Sequence, residues 1–308
     1  MHLRGRVILD CSILLPGPFV GKLLAYQGAR VIKVESPSKP DPAKTMLPLY
    51  EDLNGLKEII HLDLLDPKDQ PKFHELVRNA DGLIEAFRPA AKSKLGLNAA
   101  HLHAINPKLC ILSLVGYPES SPLRERAGHD LNFAAVTGFL SLMKEMPPLP
   151  LADLFGSYEG AYLITAAIDS VSRGSKGTRT VVSLTDVLKR VQSLLIADYK
   201  FNQVLPGPGK TLFTGKYPCY RVYTCADGRR ISVGAMEHKF WKRLCSVLKL
   251  PHLVDSAYDT GKKGREVVQE LQKAFQSRTW PEWSKRFENV DCCVDPVLDY
   301  QEVYGNGV

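Results

Sequence analysis

The chain of 308 residues lacks most of the features that advertise a function directly. Its seven cysteines include no C-x-x-C pair: Cys292 and Cys293 are adjacent, while Cys11, Cys110, Cys219, Cys225 and Cys245 are widely spaced. An odd number at such spacing is neither a disulfide framework nor a zinc site, and the simpler setting is a reducing, cytoplasmic one. The formal charge of +7 is scattered over residues such as Lys33, Lys39, Arg88, Lys92, Lys94, Arg124, Arg126, Lys242 and Arg243. No basic block with interleaved aromatics exists, which argues against a nucleic-acid partner; a polyanionic small molecule suits a scattered excess better. No apolar run reaches bilayer length, and Asp10 and Pro16 interrupt the N-terminal one, so neither a membrane span nor a secretory leader is expected. The dinucleotide fingerprint G-x-G-x-x-G is absent, and Pro206-Gly-Pro-Gly-Lys-Thr, without a preceding strand, reads as a linker rather than a phosphate loop.

What is present is an ordinary globular composition, 44% hydrophobic and 24% charged, in a chain long enough for two cores. Strands are read at 6–13, 29–35, 59–64, 82–85, 109–115 and 180–184, and helices at 19–27, 68–79, 99–105, 130–144, 158–173 and 185–199. Alternation of this kind predicts a mostly parallel sheet covered on both faces. Beyond the linker, strands at 220–225 and 230–233 flank Asp227-Gly228, a hairpin signal, and helices follow at 239–248 and 265–278. The expected architecture is therefore α/β: a large Rossmann-like parallel-sheet domain over residues 1–205 and a smaller α+β domain over 210–308.

Two stretches carry potential chemistry. Ala127-Gly-His-Asp-Leu-Asn-Phe offers an imidazole, His129, in a glycine-containing loop that opens a helix. Pro150-Leu-Ala-Asp-Leu-Phe-Gly offers a carboxylate, Asp153. In open parallel sheets the loops after the strands carry the ligand site, and the segment leading to His129 leaves one of them. Taken singly, His129 reads as structural, Asp153 as an N-cap, and Glu237 in Val-Gly-Ala-Met-Glu-His-Lys-Phe as another N-terminal cap.

The order and spacing of motifs along residues 4–303 resemble the class III CoA-transferase (CaiB/BaiF) family, especially its α-methylacyl-CoA racemase branch. The stretches concerned are Leu15-Pro-Gly-Pro-Phe, Leu24-Ala-Tyr-Gln-Gly-Ala-Arg-Val-Ile-Lys-Val-Glu, Ile84-Glu-Ala-Phe-Arg-Pro, Leu95-Gly-Leu, Asn106-Pro-Lys-Leu, Gly128-His-Asp-Leu-Asn, Leu151-Ala-Asp, Val233-Gly-Ala-Met-Glu and Asp291-Cys-Cys-Val-Asp-Pro. The resemblance implies an enzyme that inverts the α-carbon of a 2-methylacyl-CoA through an enolate. His129 and Asp153 would be its acid/base pair and Glu237 the support of the histidine. The alternatives are a CoA-transferase using Asp153 as nucleophile and a non-catalytic dimeric relative. Contacts to CoA carried over from the racemases fall on Leu62, Asp63, Leu64, Leu65, Ala86, Phe87, Arg88, Lys94, Gly128, Asp130, Leu131, Asn132 and Phe133. No tightly bound cofactor or metal is implied, CoA arriving as part of the substrate; the implied partner is a second copy in an interlocked homodimer.

Some positions depart from that pattern. Ser36 and Leu65 stand where cations are expected, as does Asn54-Gly-Leu-Lys-Glu; Lys33, Lys39 and Lys57 are the available substitutes. Phe155-Gly156-Ser157 replaces a run of glycines after the aspartate and is expected to narrow the pocket. The return of the chain to the large domain after Val303 is expected to be shortened.

Overall fold

The structure is a computed structural model and describes residues 1–305; the last three residues of the expected small domain lie outside them. Two compact units are present. The first comprises Met1–Ser141 and Glu145–Ser193, the second Leu142–Lys144 and the chain from Leu194 onward. The stretch 206–211, read as a linker, lies inside the second unit.

The first unit contains strands β1 (Val7–Asp10), β2 (Arg30–Glu35), β3 (Glu58–His61), β4 (Gly82–Glu85), β5 (Cys110–Val115) and β6 (Arg179–Ser183). They form one sheet in the order β3-β2-β1-β4-β5-β6, every neighbouring pair parallel. This is the order of a Rossmann sheet, in which the connections run to opposite faces from the β1/β4 boundary. Its helices are α1 (Pro16–Tyr26), α2 (Leu47–Asn54), α3 (Gln70–Arg78), α4 (Pro89–Lys94), α5 (Ala99–Ile105), α6 (Asp130–Val136), α7 (Leu151–Ser172) and α8 (Leu184–Val191). The period of two along the strands sorts the core. Ile8, Ile84, Leu112 and Leu114 pack with Val20 and Leu24 of α1 and with Ile164 and Ile168 of α7. Leu9, Leu83 and Ile111 point the other way, onto Phe73 and Val77 of α3 and Leu102 of α5.

Helix boundaries differ from the sequence reading where proline opens a helix. Pro16-Gly17-Pro18 is the first turn of α1, because a proline at the start has no N–H to lose. A Cβ on Gly17 would stand 2.1 Å from Ser12 Oγ, so only glycine lets α1 approach the chain leaving β1 this closely. Helix α7 begins at Leu151, seven residues before the expected Tyr158, and Asp153 sits in its first turn rather than at the N-cap. The expected helix 185–199 is two helices, α8 and α9 (Ser193–Asn202). The expected helix 130–144 stops at Val136 and is followed by a short 3₁₀ turn, Phe139–Leu142.

The second unit holds β7 (Tyr220–Thr224), β8 (Arg230–Gly234), α10 (His238–Leu248), α11 (Gly261–Gln276), α12 (Trp280–Phe287), β9 (Val294–Pro296) and α13 (Tyr300–Tyr304). Its three strands are antiparallel. Tyr223, Ile231 and Val233 on one sheet face bury Trp241, Leu244, Leu271, Phe275 and Trp283 from the helices. Among the described residues no helix is long and apolar enough to cross a membrane, and all seven cysteines are unpaired.

A buried polar cluster joins β1, β2 and the chain before β3. Lys57 donates to Asp10 Oδ2, Asn54 Oδ1 and the Pro18 carbonyl, each at 2.8 Å, and both side chains of the Asp10–Lys57 pair are fully buried. Lys33 donates to Asp41 Oδ2 at 3.0 Å and to the Ser12 carbonyl at 2.8 Å, again fully buried. Burial opposes ionisation of Asp10, yet Lys57 and Lys33 hold its carboxyl below the ordinary range. Removing one partner leaves a buried charge uncompensated. Lys57→Met should therefore cost about 4 kcal/mol of stability in urea unfolding, and the double variant with Asp10→Asn less than the sum of the single losses. An additive double variant would show that the pair is not coupled.

Candidate functional site

The loops at the carboxyl ends of β1 and β4, the two strands at the reversal point, line two adjoining cavities of about 370 and 300 Å³ that share Ile13, Phe87 and Ala91. The first is walled by Ile13 and Leu14 after β1, Ala86, Phe87 and Arg88 after β4, Gly116, Tyr117 and Glu119 after β5, and by Gly128, His129, Phe133 and Asp153. The second adds Ser36 and Lys39 after β2, residues Leu62 to Leu65 after β3, and Lys94 and Leu95.

Leu14 has a left-handed backbone, φ 63°, which is strained for a branched side chain. Its N–H donates at 3.0 Å to Asp41 Oδ1, the carboxylate already paired with Lys33. The buried ion pair therefore holds the cavity loop in its strained shape. Phe133 performs a similar task on the opposite wall. Its ring packs edge-on against Tyr117 at 5.4 Å, and a Cβ on Gly116 or Gly128 would stand 2.5 or 2.8 Å from it. Glycine at both positions allows the two loops to close over one aromatic ring.

His129 is the N-cap of α6 and is exposed; its N–H donates at 3.0 Å to Asn132 Oδ1, which fixes the start of the helix. The next residue, Asp130, is buried and turns away from both cavities. Its carboxylate accepts the N–H of Asp153 at 3.0 Å and also those of Leu151 and Ala152. It is thus the cap of α7, supplied from another helix. Burial raises the Asp153 carboxyl, and the neighbouring Asp130 charge adds to this, pushing it up to about 7. Burial likewise raises Asp130, against the three N–H groups that favour its ionised form. Because those N–H groups are taken, they are not free to bind a substrate oxygen at this helix start.

Of the residues expected to meet a ligand, Leu62, Asp63, Leu64, Leu65, Phe87 and Lys94 line the second cavity, and Ala86, Phe87, Arg88, Gly128 and Phe133 the first. Asp130, Leu131 and Asn132 line neither: Asp130 caps α7, Asn132 caps α6, and Leu131 is on the exposed face. Lys33 and Lys57 are consumed in the buried pairs, so only Lys39 of the three substitute cations reaches a cavity. Neither Phe155 nor Ser157 narrows the first cavity; Ser157 Oγ donates to the Pro16 carbonyl at 2.8 Å, and Phe155 is 41% exposed. Glu237 is exposed in the second unit at the N-cap of α10 and makes no side-chain cap bond there. The sequence reading missed Ile13, Leu14, Tyr117, Glu119 and the two arginines Arg124 and Arg126, which also line the first cavity. Their only signal was position, one loop after a central strand. Among the described residues no three His, Cys, Asp or Glu side chains gather as a metal-ligand set.

A six-stranded parallel sheet in Rossmann order, with its cavities at the reversal point, defines the α/β class of fold. The chain belongs to CoA-transferase family III, whose model matches residues 3–307. It is 31% identical to a CaiB/BaiF CoA-transferase family protein of Caenorhabditis elegans, covering 99% of this chain and 89% of that one. It is 30% identical to human α-methylacyl-CoA racemase (98% of this chain, 79% of that one) and 29% to succinate–glutarate CoA-transferase of Agrobacterium fabrum (92% and 76%). The crystal structure of a hypothetical protein from Mycobacterium tuberculosis superposes with a TM-score of 0.85 at 26% identity, over 99% of this chain and 86% of that one. The relatives thus include both racemases and CoA-transferases.

The raised Asp153 carboxyl has a stability consequence. The native state holds its proton from the ordinary carboxylate range, near 3.8, up to about 7, so its contribution is full below that window and is lost as pH rises through it. Asp153→Asn should remove this slope and be more stable than the parent at pH 8 by about 2 kcal/mol, after discounting for the partial exposure of the group. Parallel thermal melts of parent and variant between pH 4 and 8 measure it; identical slopes would show that Asp153 titrates normally.

Proposed function

We propose that the protein inverts the α-carbon of a 2-methylacyl-CoA thioester by proton removal and return. The observation that carries this reading is the pairing at one cavity of His129 with a carboxyl whose pKa lies at about 7. A group that titrates near working pH can be acid in one direction and base in the other, which an epimerisation run both ways requires. In our reading His129 takes the α-proton of one epimer, and Asp153, protonated, supplies one to the enolate; in the reverse direction the roles exchange. Glu237 supports the histidine, a role taken from the resemblance to the racemases. The thioester spans both cavities, its acyl end at His129 and Asp153 and its nucleotide end between Lys39 and Lys94. Phe155, Tyr158 and Tyr162, spaced along one face of α7 and 41–71% exposed, support a homodimer that buries them.

One observation favours a second reading. A carboxylate of pKa about 7 is also a better nucleophile than an ordinary one, and attack of Asp153 on a thioester carbonyl with departure of the CoA thiolate would make an acyl anhydride, the first step of CoA transfer.

The two are separated by following the α-proton. In D₂O the parent should wash deuterium into the α-position of a 2-methylacyl-CoA with no acceptor acid present, and His129→Ala should lose about 10²–10⁴-fold of that rate. Glu237→Gln should lose less. Absence of wash-in, together with hydroxylamine trapping of an acyl group on Asp153, would replace the racemase by the transferase.

A further inference from the structure

We propose that the second cavity recognises the body of a CoA-like nucleotide and its diphosphate but has no contact for the 3′-phosphate, so that thioesters of CoA and of 3′-dephospho-CoA are bound alike. This rests on the reading above that the nucleotide end of a CoA thioester enters that cavity. The wall is mostly apolar: Ile13, Val34, Leu62, Leu64, Phe87 and Leu95 supply a slot suited to a flat base or a pantetheine arm. Its charged lining consists of two cations, Lys39 and Lys94, and three carboxylates, Glu35, Asp41 and Asp63.

Arg88, Arg124 and Arg126 line the first cavity, at the acyl end, and the other cations around the second are engaged elsewhere. Lys33 is fully buried against Asp41, and Lys57 against Asp10. Lys44 donates at 2.6 Å to Glu35, which also accepts the hydroxyl of Tyr50. Arg30 is paired with Glu58 at 2.7 Å, and Lys92 lies between Glu85 and Glu119 at 3.4 and 3.5 Å. Asp63 accepts from Ser38 Oγ and from the N–H of Leu65 and forms no ion pair, and its charge draws on nearby Lys39, so it adds negative charge at the rim. Ser36, at the cavity edge, is engaged with Ser38 at 3.0 Å and with the N–H of Lys39 at 3.2 Å.

A diphosphate bridge brings about two negative charges and a terminal phosphate monoester about two more. Lys39 and Lys94 match the first pair. For the second the cavity offers no guanidinium fork and no further ammonium, and it presents a carboxylate. A 3′-phosphate would therefore remain in solvent, where its loss changes little.

Calorimetric titration of the full-length protein with CoA and with 3′-dephospho-CoA tests this. Dissociation constants within about threefold of each other support the proposal, and a preference for CoA of more than about threefold overturns it. Lys39→Ala and Lys94→Ala should weaken both ligands by the same factor; a loss confined to CoA would mean that one lysine holds the 3′-phosphate, which also overturns it. If neither ligand binds the folded parent protein, the CoA reading itself falls, an outcome distinct from selective binding of CoA.

Discussion

The structure turns on a carboxylate that does not enter the cavity. Asp130 follows His129 at the start of α6 and takes the first backbone N–H groups of α7, including that of Asp153. One side chain thereby fixes two helix starts relative to each other, and with them the histidine and the carboxyl on each. Burial raises the Asp153 carboxyl, and the charge of the same Asp130 adds to that effect. A helix N-terminus alone would push a carboxyl in the opposite direction. Here those donors are spent on Asp130, and burial raises the Asp153 carboxyl.

Charge elsewhere in the first unit is directed inward in a related way. The pairs Asp10–Lys57 and Lys33–Asp41 lie under the carboxyl ends of β1 and β2, where loops must turn sharply toward the cavities. Asp41 holds the strained Leu14, and Lys57 holds the Pro18 carbonyl in the first turn of α1. Such pairs are not efficient sources of net stability, since desolvation offsets most of the attraction. What they supply is a single geometry for loops that have little apolar surface of their own. A consequence is that a chain with a formal charge of +7 presents few cations to its second cavity.

Much of this was legible in the chain. The parallel sheet followed from short apolar strands alternating with helices, and β4 and α5 have the limits read from sequence. The hairpin at Asp227-Gly228 was recognisable because its turn needs a residue of positive φ, which Gly228 supplies. The reading failed at Pro16, where a proline in the first turn was taken as a break, and at Leu151, where the helix begins earlier than its apolar spacing shows. It failed at Lys33 and Lys57 because a lysine pattern carries no mark of the aspartate that will meet it from another strand.

The sequence by itself therefore determined the fold class and the residue types placed after each strand, since these depend on local periodicity and turn chemistry. It placed His129 at the start of a helix, on the segment leaving the ligand end of the sheet. Tertiary structure alone decided that Asp130 is a cap for another helix, that two of the expected ligand lysines are structural, and that burial raises the Asp153 carboxyl. Each of those outcomes depends on which group is brought beside a charge after water is removed, and that pairing is long-range: 23 residues separate Asp130 from Asp153, and 47 separate Asp10 from Lys57.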